Sequence, residues 1–169
     1  GTHMVTNSDT INLYYDLGVK GAYLSNEITK DEVLNIRSNT KSDLFILLLG
    51  NPVVAMSRRS LLTSYFTNKN KSNNDLITIK EPKSGQEFLV KEDNNGTTFF
   101  YNRRLNLSNV YKELVDSGIN YGIVEQGDYS SDEYKELINS FISFNKQKID
   151  ELAGHNRGFL YRETIYKVK

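Results

Sequence analysis

The stretch "LFILLLGNPVVAMSRRSLLTSYF", Leu44–Phe66, decides how this chain folds. Leu44–Gly50 is a continuous apolar run of the length that a strand buried on both faces needs. The run stops at Gly50-Asn51-Pro52, and a second apolar stretch, Val53–Met56, follows at once. Ser57-Arg58-Arg59-Ser60 comes next and leads into a helical pattern from about Arg59 to Phe66. Two adjacent cations after a buried strand call either for a bound anion or for neighbouring carboxylates.

Upstream of the strand, Ser8-Asp9 can cap a short helix carrying Ile11, Leu13, Tyr14 and Leu17, ended by Gly18. Val19–Ser25 reads as a short strand, and Thr29-Lys30-Asp31-Glu32 is a capping box that opens a second helix. The order β-α-β-α predicts parallel pairing with right-handed crossovers. Downstream the period changes. "LITIKEP", "QEFLVKED" and "TTFFYN" are short alternating runs, separated by Lys83-Ser84-Gly85 and Asn94-Asn95-Gly96. Such spacing predicts an antiparallel meander over 76–102, with Asn-Gly supplying the positive φ of a hairpin.

The α/β rhythm then resumes. A helix is expected over Asn109–Ser117 and a strand over Asn120–Gln126. From the capping box at Ser130–Glu133, one long helix is expected to reach about Leu152. The tail from His155 alternates aromatic and apolar residues, as a final strand or extended arm would, and 67–75 reads as a mobile loop. The expectation is a single α/β domain over 5–169, with the 76–102 meander inserted. Residues 1–4, Gly-Thr-His-Met, read as an expression scar.

Composition excludes several chemistries. The 169 residues contain no cysteine, so thiolate nucleophiles, disulfides and iron–sulfur or zinc-thiolate sites cannot form within the chain. His155 is the only histidine outside the scar, so a two-histidine metal site is excluded and a Ser-His-Asp triad would have to use it. Absence of cysteine fits a cytoplasmic protein, and no stretch approaches the apolar length of a membrane span. The formal net charge is zero, so positive charge is local: Arg58, Arg59, Lys69 and Lys71, then Arg103 and Arg104, then Arg157 to Lys169. Those clusters are either solvated surface or a composite face for RNA.

In parallel α/β folds, functional groups gather at the carboxyl ends of strands. Three such ends are expected to deliver Glu27, then Asn51 with Ser57, Arg58 and Arg59, then Glu125. Glu27 and Glu125 are the candidate catalytic carboxylates. Asn51, Ser57, Arg58, Arg59, Arg103 and Arg157 are the candidate anion- or RNA-binding residues, with backbone N–H groups of the helix after Ser57 as added donors. The alternative is that either carboxylate only neutralises an arginine. No metal site is expected.

Taken in order, four stretches resemble the family classed as U32 peptidases, which includes collagenase-like proteins. "LGVKGAYLSNEITKDEVLNI" resembles its "lGv…vlS.El…ei" segment, and Leu44–Phe66 resembles a segment where many members read "y.SgrCllS". "FFYNRRLNLSNVYKELVDSGINYGIVE" and "RGFLYRETIYKVK" resemble the segments that follow. The resemblance implies the C-terminal half of a (β/α)-barrel-like fold, hence a fragment of a longer protein. It implies either a peptidase or a protein that hydroxylates RNA, including the wobble uridine of tRNA with prephenate, a dicarboxylate that an arginine pair would suit. Ser60 stands where iron–sulfur members place their first cysteine. The chain therefore looks like a short cysteine-free member from a low-GC Gram-positive bacterium, holding no cluster and working beside a cysteine-bearing paralogue. A non-catalytic scaffold half is the remaining reading. Strand edges left open by a half-barrel predict a homodimer.

Overall fold

The computed structural model describes residues 5–66 and 76–161. The expected scar at 1–4, the expected loop at 67–75 and the tail beyond 161 lie outside the described residues. The chain divides into two compact units: Gly1–Gly50 with Leu105–Lys169, and Asn51–Arg104.

In the first unit, α1 (Ser8–Asp16) is capped by Asn7, whose side chain accepts from Thr10 N at 2.8 Å. It precedes β1 (Gly21–Tyr23) and α2 (Lys30–Ser38). The expected capping box opens α2: Thr29 Oγ1 accepts from Glu32 N, and Glu32 accepts from Thr29 N at 2.7 Å. Next comes β2 (Asp43–Gly50), and after the second unit β7 (Leu105–Asn106), α4 (Tyr111–Asp116), β8 (Tyr121–Val124), α5 (Ser131–Ile142) and α6 (Lys146–Ala153).

The sheet is built on β2. β1 and β8 pair with it in parallel, β1 over Asp43–Phe45 and β8 over Phe45–Leu49. The short β7, not foreseen from its two residues, pairs antiparallel with Leu49 and Gly50. Leu44, Ile46, Leu47, Leu48 and Leu49 are all buried, joined by Val33 and Ile36 of α2, Leu114 of α4, Leu137 and Phe141 of α5 and Ile149 of α6. The unbroken apolar run of β2 is thus the signature of a strand covered on both faces. Among the described residues, neither sheet closes on itself and no helix is long and apolar enough to cross a membrane.

One expected element is corrected. The long helix to Leu152 is two helices, broken at Ser143–Asn145. Asn145 caps α6 by accepting from Lys148 N at 3.1 Å, and Phe144 takes a left-handed φ of +53°. Stacking of the Phe144 ring on Tyr111, centroids 4.9 Å apart, offsets the cost of that turn.

The second unit holds β3 (Val53–Ser57), α3 (Leu61–Phe66), β4 (Ile77–Lys80), β5 (Glu87–Asp93) and β6 (Gly96–Tyr101). They form one antiparallel sheet in the order β3-β6-β5-β4, so the expected meander gains a fourth strand from the stretch after Pro52. The β5–β6 hairpin turns on Asn94 and Asn95, between the paired Asp93 and Gly96. Its positive φ falls on Gly96, at +118°, rather than on Asn95. A Cβ there would collide with Ser57 O and come within 2.8 Å of Arg58 Cα, so only glycine lets β6 start against the end of β3.

Candidate functional site

Because β1, β2 and β8 are parallel, their carboxyl ends emerge on one rim of the first unit. After β1 the chain runs through Leu24 and Ser25, both buried, to an exposed Glu27 whose N–H donates to Ser25 Oγ at 3.3 Å. Asn26 Oδ1 is buried there without a hydrogen-bond partner among the described residues. β2 ends at Gly50. β8 leads into Glu125, whose N–H donates to Leu49 O at 2.8 Å. The Glu125 carboxylate lies so close to Gly50 that any Cβ at position 50 would collide with it. Tyr23, at the end of β1, feels the same carboxylate. Burial, then the Glu125 charge, pushes its phenol up to about 12. The rim therefore carries both a carboxylate, a proton acceptor, and a half-buried phenol, a hydrogen-bond donor.

A second cluster in the same unit centres on Asp150, which sequence reasoning missed. Its side chain is 6% exposed. It accepts from Asn106 Nδ2 and Ser108 Oγ, each at 2.9 Å, from Arg157 Nη2 at 3.1 Å and from Lys146 Nζ at 2.5 Å. Burial raises the carboxyl pKa. Hydrogen bonds from Lys146, Ser108 and Arg157, with the charge of Arg157, outweigh that and hold it well below the usual carboxylate range. Arg157 also donates to Asn106 O at 2.6 Å, so this candidate anion-binding residue is part of an internal network. His155 Nδ1 lies 3.4 Å from Asp150 Oδ2. The carboxylate thus stands between the Ser108 hydroxyl and the imidazole, whereas a serine nucleophile needs the imidazole in the middle.

The remaining candidates belong to the second unit. Asn51 Nδ2 donates to Tyr101 O at 2.8 Å, and Ser57 Oγ accepts from Arg59 N at 3.2 Å. Arg58, Arg59, Ser60 and Arg103 are exposed. The guanidiniums of Arg58 and Arg59 take part in no ion pair or hydrogen bond among the described residues. Two expectations about them are corrected. They follow β3 of the antiparallel sheet, not the carboxyl end of β2, and so belong to a different unit from Glu27 and Glu125. The helix start beyond them also offers no open anion site. Buried Glu92 accepts from Leu62 N at 2.7 Å and Thr63 N at 3.1 Å, while Leu61 N donates to Thr97 Oγ1 at 3.0 Å. Glu92 was legible in the sequence as the residue two beyond Val90, on the apolar face of β5. Nothing in the sequence marks Asp150 as inward-facing.

A family profile described as peptidase family U32 matches residues 2–167. The chain belongs to peptidase family U32. This U32 chain is 24% identical over 195 aligned residues to "tRNA hydroxylation protein P2" of Bacillus subtilis (strain 168), covering 95% of the chain and 61% of that protein. It is 28% identical over 131 residues to "tRNA hydroxylation protein P" of Helicobacter pylori (strain ATCC 700392 / 26695), covering 68% of the chain and 31% of that protein. It thus spans less than two thirds of the length of these curated relatives. No solved structure matches it. An iron–sulfur cluster does not fit this U32 chain. It supplies no thiolate, and among the described residues no three His, Cys, Asp or Glu side chains gather as metal ligands.

Proposed function

We propose that this U32 chain acts in hydroxylation of the tRNA wobble uridine, as a cysteine-free cytoplasmic subunit beside a cysteine-bearing U32 paralogue. The observation that carries the reading is the match, over 95% of the chain, to a protein named for tRNA hydroxylation. The first unit is read as the C-terminal half of a (β/α)-barrel-like fold. In this reading Glu125 and Glu27 on the rim are the proton-handling carboxylates, and Tyr23 is the donor that orients a bound oxygen. Arg58 and Arg59, exposed and with guanidiniums unengaged among the described residues, suit the phosphates of tRNA or a dicarboxylate co-substrate.

Two further features support a partnership. Around the end of α1, Leu13, Tyr14, Tyr15 and the C-cap Leu17 are exposed, apolar surface of the kind another β/α unit covers, whether from a paralogue or a second copy. The paralogue supplies the thiolates that this chain lacks. The peptidase reading draws no support from the Asp150 cluster, where hydroxyl, carboxylate and imidazole stand in the wrong order.

The test is nucleoside mass spectrometry of tRNA from cells lacking this gene. Loss of wobble hydroxyuridine is the expected result. Unchanged hydroxyuridine, with the gene's protein demonstrably absent, would overturn the proposal.

A further inference from the structure

The charge of the chain is segregated between its units. Asn51–Arg104 contains nine Lys and Arg against five Asp and Glu, a net of +4, while the rest holds twelve against sixteen, a net of −4. The zero overall charge conceals this. Four of the five acids in the basic unit accept from its own donors: Glu92 from α3, Glu81 from Lys83 N at 2.9 Å and Ser84 N at 2.5 Å, Glu87 from Asn102 Nδ2 and Asp93 from Asn95 N at 2.7 Å.

The strand register sorts the sheet of this unit into two faces, since directly paired residues share a face and alternate residues oppose it. One face carries Ile77, Val90, Glu92 and Thr97, and α3 is anchored there through Glu92 and Thr97. The other face follows from the pairs Thr78↔Leu89, Leu89↔Phe100, Lys91↔Thr98 and Met56↔Thr98. It holds Met56, Thr78, Lys80, Leu89, Lys91 and Phe100, with Glu87 and Asp93 towards the two ends of β5, and it lies opposite the unit's only described helix. Met56 is 69% exposed, Lys80 and Lys91 are exposed, and Leu89 and Phe100 are half-buried. Glu87, opposite Lys80, accepts from Asn102 Nδ2 at 2.8 Å. Arg58 and Arg59 follow the edge strand β3.

We infer that this face is a docking platform for single-stranded RNA. The inference rests on the tRNA reading above and specifies which surface meets the RNA. An apolar centre with one aromatic ring, flanked by lysines and followed by unengaged arginines, fits bases on the sheet and phosphates at its margin. The net positive charge of the unit selects a polyanion over a neutral protein surface. The cations must act through side chains, because Glu92 already occupies the N-terminus of α3.

The experiment is fluorescence anisotropy with an end-labelled unmodified tRNA transcript across a KCl series. Three proteins are compared: wild type, Lys80→Glu/Lys91→Glu, and Lys112→Glu/Lys135→Glu. The last pair makes the same charge change on exposed residues of the first unit. Removing two phosphate contacts lowers affinity at 0.15 M salt by roughly tenfold and flattens the salt dependence. The platform predicts that loss for Lys80→Glu/Lys91→Glu only, with the control within twofold of wild type. Thermal melts verify folding, and Lys80→Ala/Lys91→Ala replaces the reversal pair if its melting temperature falls. Ultraviolet crosslinking of the same complex should mark peptides containing Met56 or Phe100. Equal losses in both variants, no loss in either, or no binding by wild type each refutes the platform. The hydroxylation reading is judged separately, by the wobble-nucleoside analysis.

Discussion

Replacing Asp150 by alanine should destabilise the first unit more than any other single change at a charged residue. The carboxylate accepts from Asn106, Ser108, Lys146 and Arg157 while 6% exposed, and the Arg157 side chain is only 19% exposed. Alanine leaves that guanidinium partly buried without its counter-charge, and strands the Asn106 amide and Ser108 hydroxyl. Breaking a buried ion pair in this way costs about 3–5 kcal/mol. For a protein of this size, each kcal/mol lowers the melting temperature by about 2–4 °C, giving a fall of about 6–20 °C. Circular dichroism melts at 222 nm measure it. The double variant Asp150→Ala/Arg157→Ala should recover part of the loss, because the buried guanidinium is then gone and the remaining partner, Lys146, is half exposed to solvent. The pH dependence has a definite sign. A carboxyl pKa lowered by folding stabilises above the unfolded aspartate value, near 3.9, and the contribution fades as pH falls below it. Wild type should therefore lose stability on acidification in this range more steeply than Asp150→Ala. A melting point within 2 °C of wild type for Asp150→Ala, or additive effects in the double variant, would refute the reasoning.

Tyr23, titrated at 295 nm, should deprotonate near pH 12, and Glu125→Gln shifts that step downward. Its pKa is raised above the unfolded value of about 10, so its contribution to stability is intact below pH 10 and is lost as pH rises through 12. Deprotonation of Tyr23 at its unfolded value, about 10, would contradict its burial beside Glu125. Gly96→Ala should loosen the β5–β6 hairpin, since the positive φ alone costs about 1–3 kcal/mol before the clash with Ser57 O is added. Hydrogen exchange across β6 measures it, and unaltered protection would count against the close approach. Glu92→Ala should release the first N–H groups of α3 and speed proteolysis near Leu61–Phe66. An unchanged cleavage rate would mean the carboxylate is not what holds that helix.

The parallel core was legible because its signals are local. A doubly buried strand reads as an apolar run, and the boxes at Thr29 and Ser130 each put a cap and its Glu three residues apart. Val53–Ser57 misled because its continuation from the run before Pro52 suggested one strand end, whereas its partner is Phe99, more than forty residues away. The break at Phe144 was missed because apolar residues recur at helical spacing on both sides of it; the Asn145 cap and the stacking of Phe144 on Tyr111 together make the turn favourable. The candidate site was half legible. The residues that follow parallel strands could be listed, but the contact of Glu125 with Gly50, and the gathering of Asn106, Ser108, Asp150 and Arg157, depend on pairings that sequence spacing does not reveal.

Nucleoside mass spectrometry with complementation decides whether this chain takes part in tRNA wobble hydroxylation. Tissue-free comparison is simple: tRNA is isolated from the parent strain, the deletion strain, and the deletion strain carrying either the wild-type gene or its Glu125→Gln/Arg58→Ala/Arg59→Ala form. Wobble hydroxyuridine is expected to disappear on deletion, to return with the wild-type gene and to stay absent with the triple variant expressed at the same level. Hydroxyuridine that persists in the deletion strain, or that the triple variant restores in full, would contradict that expectation.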